Sequence, residues 1–194
     1  FDGGKDPAMA AADADYIKTS DVQAVRDQLG SRIVAATGVM NNFDQMRIDG
    51  RDQDVSIIGA DQYYPQVRNL ALLAGRFVDA GDIDSRNHVA MLTEQLAKRL
   101  FHGQSQAVGQ TIKIHGLQFD IIGTFKERTS SFGQSEITGE NVLIPITVLK
   151  YFAPLERIDP LYVQAHSTGD VDTLTPQVRS IIDARHRAGA RYKV

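Results

Sequence analysis

The sequence predicts an α+β fold, and three observations predict it. Two dipeptides, Asp49-Gly50 and His115-Gly116, each lie between runs in which apolar and polar residues alternate, the mark of antiparallel hairpins. Three other stretches repeat apolar residues at helical spacing, and they stand apart from the hairpins instead of alternating with single strands. At 194 residues the chain can bury roughly 70% of the surface its unfolded form exposes, enough for one large domain or two small ones.

Ser20–Gly30 predicts the first helix. Val22, Val25 and Leu29 share a face, Ser20 and Gln23 stand at capping-box spacing, and Gly30 sits where a C-terminal cap belongs. Arg32–Ala36 turns strand-like. Val39–Ile48 and Arg51–Gly59 form the first hairpin, with an exposed start to its second strand because Asp52 and Asp54 alternate with Gln53 and Val55. Gln66–Leu73, bounded by Pro65 and Gly75, predicts a short apolar helix. Val89–Leu92 predicts a buried strand, and Thr93 caps a helix running to about Phe101, with Lys98 and Arg99 in its last turn, where they suit the helix dipole. In the second hairpin Ile112 and Ile114 alternate with Lys113 and His115, and Phe119, Ile121 and Ile122 resume the pattern beyond Gly116. Asn141–Pro145 reads as a strand, Thr147–Phe152 as a helical turn and Leu161–His166 as a strand. Val171, Leu174, Val178 and Ile181 define a last amphipathic helix, expected to start near Thr173 or Thr175 so that Pro176 falls in its first turn.

Composition narrows the function classes. A hydrophobic share of 42% and a charged share of 23% are those of a globular protein. The net charge of −3 provides no electrostatic footprint for nucleic acid, and no nucleic-acid partner is expected. Tyr63 and Tyr64 could stack on a base or sugar, but too few cations surround them for such a platform. The chain has no cysteine, which removes disulfides, thiol catalysis and cysteine-based metal sites. No apolar run approaches the ~18 residues that span a bilayer, and no signal-peptide pattern occurs, so this stretch is expected to be soluble. Phe1–Met9 reads as a native or added terminus outside the fold.

No constellation for catalysis emerges. His88, His102, His115, His166 and His186 are scattered singly; His115 reads as a turn residue, and His166 and His186 as exposed. No GxSxG elbow or phosphate loop occurs. Asp79, Asp82 and Asp84 suggest a metal loop at first sight, but they lack the glycine and the distant glutamate of an EF-hand, and a turn capped by aspartates accounts for them. Catalytic, metal and cofactor sites are therefore expected to be absent.

Val108–Phe125, VGQTIKIHGLQFDIIGTF, carries a resemblance. It resembles the VGQ–hydrophobic–G–hydrophobic–IIG signature of MacB-like periplasmic core domains, found in ABC-transporter permeases of the macrolide and lipoprotein exporter type. Ala60–Asp82 resembles that family's segment of tyrosine, leucine-rich stretch, GRF and acidic residues. His88–Phe101 resembles its strand and helix, and Phe132-Gly133 and Asn141–Thr147 its loop and following strand. The resemblance implies two lobes: a porter-like βαβ lobe from residues 1–74 and 158–194, and a smaller α/β lobe, residues 75–157, inserted between them. It also implies that the two hairpin tips fall in different lobes. Functionally it implies a non-catalytic, extracytoplasmic (periplasmic) domain that transmits ATP-driven motion during export. Its partners would be a second copy of the permease, an ATPase subunit or domain elsewhere and a periplasmic adaptor protein, with membrane-spanning helices flanking this stretch and the isolated domain monomeric. The competing classes are a ligand-binding module or enzyme with a cleft between lobes, and an assembly scaffold.

Glu127–Glu140, ERTSSFGQSEITGE, is rich in small polar residues with one isolated aromatic, Phe132. Loops of this length are usually functional or disordered. Phe132 is the candidate partner contact, as an apolar anchor; the alternative is that it folds back on its own lobe.

Overall fold

The computed structural model describes residues 15–48, 50–128, 135–137 and 139–186. In chain order the elements are α1 (Thr19–Leu29), β1 (Ile33–Gly38), β2 (Met40–Ile48), β3 (Arg51–Ala60), α2 (Tyr64–Val67), β4 (Leu70–Gly75), α3 (Ala80–Ser85), β5 (Val89–Thr93), α4 (Glu94–Phe101), α5 (Gln104–Ala107), β6 (Thr111–Ile114), β7 (Leu117–Glu127), β8 (Asn141–Pro145), α6 (Ile146–Leu149), β9 (Leu161–Ala165) and α7 (Val171–Asp183). The fold is α+β. β1 and β9 form a two-stranded antiparallel sheet carrying α1 and α7. The other seven strands form one sheet in the order β2-β3-β8-β5-β7-β4, with β6 also on β7. The β3–β8 and β5–β7 ladders are parallel and the others antiparallel.

Both predicted hairpins form. Ile48 pairs with Arg51 and Ile114 with Leu117, so two residues connect the strands of each, and Gly50 and Gly116 take φ of 76° and 79°. Both belong to the seven-stranded sheet, which curls until the tip of the second meets β2: the His115 amide donates to Asp44 Oδ2 at 2.6 Å.

Three further expectations are corrected, two by tertiary partners and one by a local contact. α1 begins at Thr19, one residue early, and the Ser20–Gln23 box is not its cap. The Lys18 amide donates to Asp21 Oδ2 at 2.7 Å and the Thr19 amide to Glu156 Oε1 at 2.9 Å. Gln66–Leu73 is not a helix: α2 is a single turn, and Leu70–Gly75 is a strand. β6 pairs with β7 only as far as Asp120, and β4 pairs with it from Gly123 onward, while β5 lies on the opposite edge. The vacant length of that edge turns an ambiguous apolar run into a strand. α7 begins at Val171, so Pro176 lies inside it. The Ser167 hydroxyl and amide donate to Asp170 at 2.8 and 3.1 Å and launch the helix before the proline. Pro176 forfeits its own bond to the helix, while the Thr175 hydroxyl donates to the Val171 carbonyl at 2.8 Å.

The core lies on both faces of the large sheet. Ile57, Leu92, Val142 and Ile144 face one cluster together with α1, α4, α6 and α7 residues such as Val25, Leu96, Leu149 and Ile182. The alternate residues Ile58, Met91 and Leu143 face a second, with Tyr64, Leu70, Val78 and Phe125.

The glycines of GRF and IIG meet where β4 crosses β7. Gly75 pairs with Gly123, a Cβ on Gly75 would lie 2.1 Å from the Ile122 carbonyl oxygen, and one on Gly123 would lie 2.3 Å from that of Arg76. Backbone on backbone cannot yield as a side chain can. Gly123→Ala is therefore expected to cost roughly 3 kcal/mol. Gly116→Ala, where only the left-handed φ objects, should cost about 1 kcal/mol. Urea midpoints at unchanged m value measure both.

Candidate functional site

Sequence reasoning nominated the loop after β7. Phe132 lies outside the described residues; the base of its loop does not. Glu136 is the centre of that base. Its carboxylate accepts from the Tyr64 hydroxyl at 2.5 Å, the Tyr162 hydroxyl at 2.7 Å and Arg68 Nε at 2.9 Å. Arg68 Nη2 also donates to Glu127 Oε1 at 2.7 Å and to Ser135 Oγ at 2.9 Å, and its guanidinium lies 5.0 Å above the Tyr162 ring. The Glu136 side chain is 6% exposed and that of Arg68 10%, so the charges are paired because water does not reach them freely.

Each member arrives from a different element. Tyr64 and Arg68 stand on α2 and its C-terminal cap, four residues apart and so on one face. Glu127 ends β7, Tyr162 lies in β9, and Ser135 and Glu136 belong to the loop. The cluster thus joins the two-stranded sheet, the large sheet and the loop. Burial pushes the Glu136 carboxyl up, but the Tyr64 and Tyr162 hydroxyls and the Arg68 charge more than reverse this and hold it below the usual carboxylate range. Burial, and then the negative Glu136, push both tyrosine hydroxyls up, which keeps them as donors. Fixed donors around a carboxylate that stays ionised make a structural anchor.

A second polar tie crosses between the sheets. Arg26 of α1 pairs with Asp61, which follows β3, and also donates to the Ala36 carbonyl of β1 at 2.6 Å. Asp61 accepts from the Thr37 hydroxyl at 2.7 Å and the Tyr63 amide at 3.1 Å.

Asp79, Asp82 and Asp84 do not converge on a common point. Asp79 caps α3, accepting from the Asp82 amide at 3.0 Å, while Asp82 accepts from Arg76 at 2.6 and 3.1 Å and from Asn87 at 3.0 Å. Among the described residues no group of three or more His, Asp or Glu could hold a metal ion. His115 is the expected turn residue and stacks on Phe152 at 5.0 Å. His166 is exposed and meets the Ser31 carbonyl. The expectation for His186 fails: its side chain is 4% exposed, because two aspartates of the segment leading into and starting α1 close over it. Beyond the four-residue spacing of Tyr64 and Arg68, the local pattern around Tyr64, Arg68, Glu136 and His186 does not mark them, since most of their partners lie far along the chain.

A groove of about 470 Å³ runs between β9 and α7, lined by Tyr16, Ile158, Leu161, Val163, Leu174 and Val178. Its ionic groups, Arg157 and Asp159, pair with each other at 2.7 Å.

The carboxylates of Asp82 and Glu136 each generate a stability prediction, the first of them dependent on pH. Hydrogen bonds from Arg76 hold the Asp82 carboxyl down at about 2, so its stabilisation is complete above the unfolded value near 4 and is lost as pH falls from about 4 towards 2. Asp82→Asn should cost roughly 1–2 kcal/mol at neutral pH, reduced because Arg76 is half exposed, and should flatten stability against pH across that window in urea titrations. Glu136→Ala should cost about 2–4 kcal/mol by stranding Arg68 and two hydroxyls, and Glu136→Gln less, by the same measurement.

Residues 3–181 match the model of a family described as MacB-like periplasmic core domain. The macrolide export ATP-binding/permease protein MacB of Chlorobium luteolum is 25% identical over 189 residues, 95% of this chain and 28% of that protein. MacB of Rhodospirillum rubrum is 27% identical over 171 residues, 86% of this chain and 26% of that protein. The uncharacterized ABC transporter permease YknZ of Bacillus subtilis is 23% identical over 188 residues, 95% of this chain and 45% of that protein. The chain thus spans between a quarter and half of the length of these relatives. Among solved structures, the extracellular domain of the noncanonic ABC-type transporter YknZ from Gram-positive bacteria superposes with a TM-score of 0.71 at 18% identity, over 93% of this chain and 89% of that one. The periplasmic region of MacB from Actinobacillus actinomycetemcomitans gives 0.69 at 20% identity, over 94% and 82%. At these identities the likeness is one of fold.

Proposed function

The chain belongs to the family of MacB-like periplasmic core domains, and from that premise we propose that it transmits ATP-driven motion in an ABC-transporter permease during export, passing it to cargo or to an adaptor protein. The ATPase would be a separate subunit or domain, and a second copy of the permease would stand opposite.

The observation that carries this reading is the way the two sheets are tied. They share one apolar cluster, the Val39 amide and carbonyl bond the backbone of Pro160 and Asp159 at 3.0 and 2.9 Å, and the Arg26–Asp61 and Glu136 clusters bridge them on polar ground. A body that transmits displacement must deform little when pushed. Such motion is driven by differential affinity of ligands for two states of the whole assembly.

The lobe limits we propose are residues 1–74, 75–157 and 158–194. The change of sheet between β8 and β9 supports the later boundary. At the earlier one, the chain passes to the large sheet already at Val39, so the first hairpin would bridge the lobes. Phe132 is proposed as the partner contact, on a loop whose base Glu136 holds.

The competing reading, a ligand-binding module or enzyme with a cleft between lobes, finds less support. The apolar groove lies between β9 and α7, not between the sheets, and brings no unpaired acid or base together.

This chain has no cysteine, so engineered pairs within it meet no native thiol of its own. Cross-linking the two copies of this domain in the full transporter is expected to stop export while ATP hydrolysis partly survives. Phe132→Ala is expected to weaken coupling to the partner with the unfolding midpoint unchanged. Export at the normal rate by cross-linked transporter would rule out transmission and leave a passive scaffold.

A further inference from the structure

The segment that leads into α1 and the segment that leaves α7 meet at a cluster of charged and titratable side chains in which Asp21 and His186 are buried and Arg185 reaches the surface. His186 Nδ1 lies 2.8 Å from Asp15 Oδ1, and Nε2 lies 3.0 Å from Asp21 Oδ2. Arg185 Nε donates to the other oxygen of Asp21 at 2.6 Å, and the Lys18 amide donates to Asp21 at 2.7 Å. The side chains of His186 and Asp21 are each 4% exposed.

The two ring nitrogens of His186 face carboxylates on opposite sides, so one side chain spans Asp15 and Asp21. Arg185 meets the same Asp21 from the neighbouring position. Burial pushes the Asp21 carboxyl up, and the bonds from Arg185, the Lys18 amide and His186 more than offset it, holding Asp21 ionised. Asp21 serves two structures at once. It accepts from the Lys18 amide at the start of α1, and it receives the two side chains that follow α7. These partners lie 164 and 165 residues away along the chain.

We propose that Asp15, Asp21, Arg185 and His186 form a clasp that fastens the segment entering α1 to the segment leaving α7, so that displacement of either segment moves both helices. Its use as a lever rests on the transmission reading above; its existence does not. Residues on both sides of the clasp continue the chain, so a force arriving through either side meets α1 and α7 together before it reaches the sheets.

The test is hydrogen exchange in the intact 194-residue chain. His186→Gln puts a single amide nitrogen where two ring nitrogens met separate carboxylates, which weakens the link between them, and it leaves the Lys18–Asp21 cap in place. It is expected to speed exchange roughly tenfold or more at amides of both segments, residues 17–22 and 184–186, the loss expected for charge-assisted bonds. Asp15→Asn touches neither helix and should fold if His186→Gln does not; it is expected to speed exchange at Arg185 and His186, at the other end of the chain. Faster exchange at the distant segment in either variant supports the clasp. Exchange altered only beside the substituted residue, or unaltered, overturns it. Because no transporter is involved, a clasp that fails here leaves the transmission reading standing. Conversely, a clasp that holds while cross-linked transporter exports normally leaves only its mechanical use without support.

Discussion

Three adjacent strands of the large sheet are buried on both faces, and the rest of the structure follows from that constraint. Every residue of β5 and β8 is buried, and so are the last four of β3, from Ile57 to Ala60. Backbone groups so placed must find partners within the sheet, so each of these strands needs a neighbour on both edges. Each strand also sends alternate side chains to opposite clusters, and both clusters need cover. α1, α4, α6 and α7 cover one face, and Tyr64, Leu70, Val78 and Phe125 close the other. The curl that brings the second hairpin onto β2 wraps the sheet around the helical side. Gly75 and Gly123 allow β4 to close against β7 at the end of that wrap.

The second organising feature is the passage of the chain between sheets. It crosses at Val39 and returns at Pro160, and these residues hold each other by backbone bonds on either side of Val39. Two polar clusters then brace the crossing, Arg26–Asp61 with Thr37 on one side and Glu136 with Arg68, Tyr64 and Tyr162 on the other. Directional bonds of this kind resist sliding between apolar layers, which packing alone resists weakly. The same Glu136 fixes one end of the loop that carries Phe132.

The candidate site was legible only in outline. Glu127–Glu140 stands out in the sequence by its small polar residues, and Phe132 by its isolation. Tyr64, Arg68 and Tyr162 carry no signal, because what makes them a site is convergence from three elements. The one local hint is the i, i+4 spacing of Tyr64 and Arg68, which puts them on the same side of a turn. His186 was read as exposed for the same reason: its neighbours in sequence are polar, while its neighbours in space are Asp15 and Asp21. GRF and IIG were visible as motifs, and their physical content, two glycines that must touch, required β4 to be seen beside β7.

What the sequence determined by itself is local. Alternation with Asp-Gly and His-Gly set the two hairpins, because backbone sterics at two residues decide a tight turn. Apolar spacing set α1, α4 and α7, because a helix closes its bonds within itself. Tertiary structure alone decided what depended on a distant partner. Leu70–Gly75 became a strand because an edge of β7 was vacant. α1 starts at Thr19 because Glu156, 137 residues away, accepts the Thr19 amide. Sheet order, the curl and the buried charges belong to this second group. Their energies come from groups far apart in sequence, which meet only once the chain has folded.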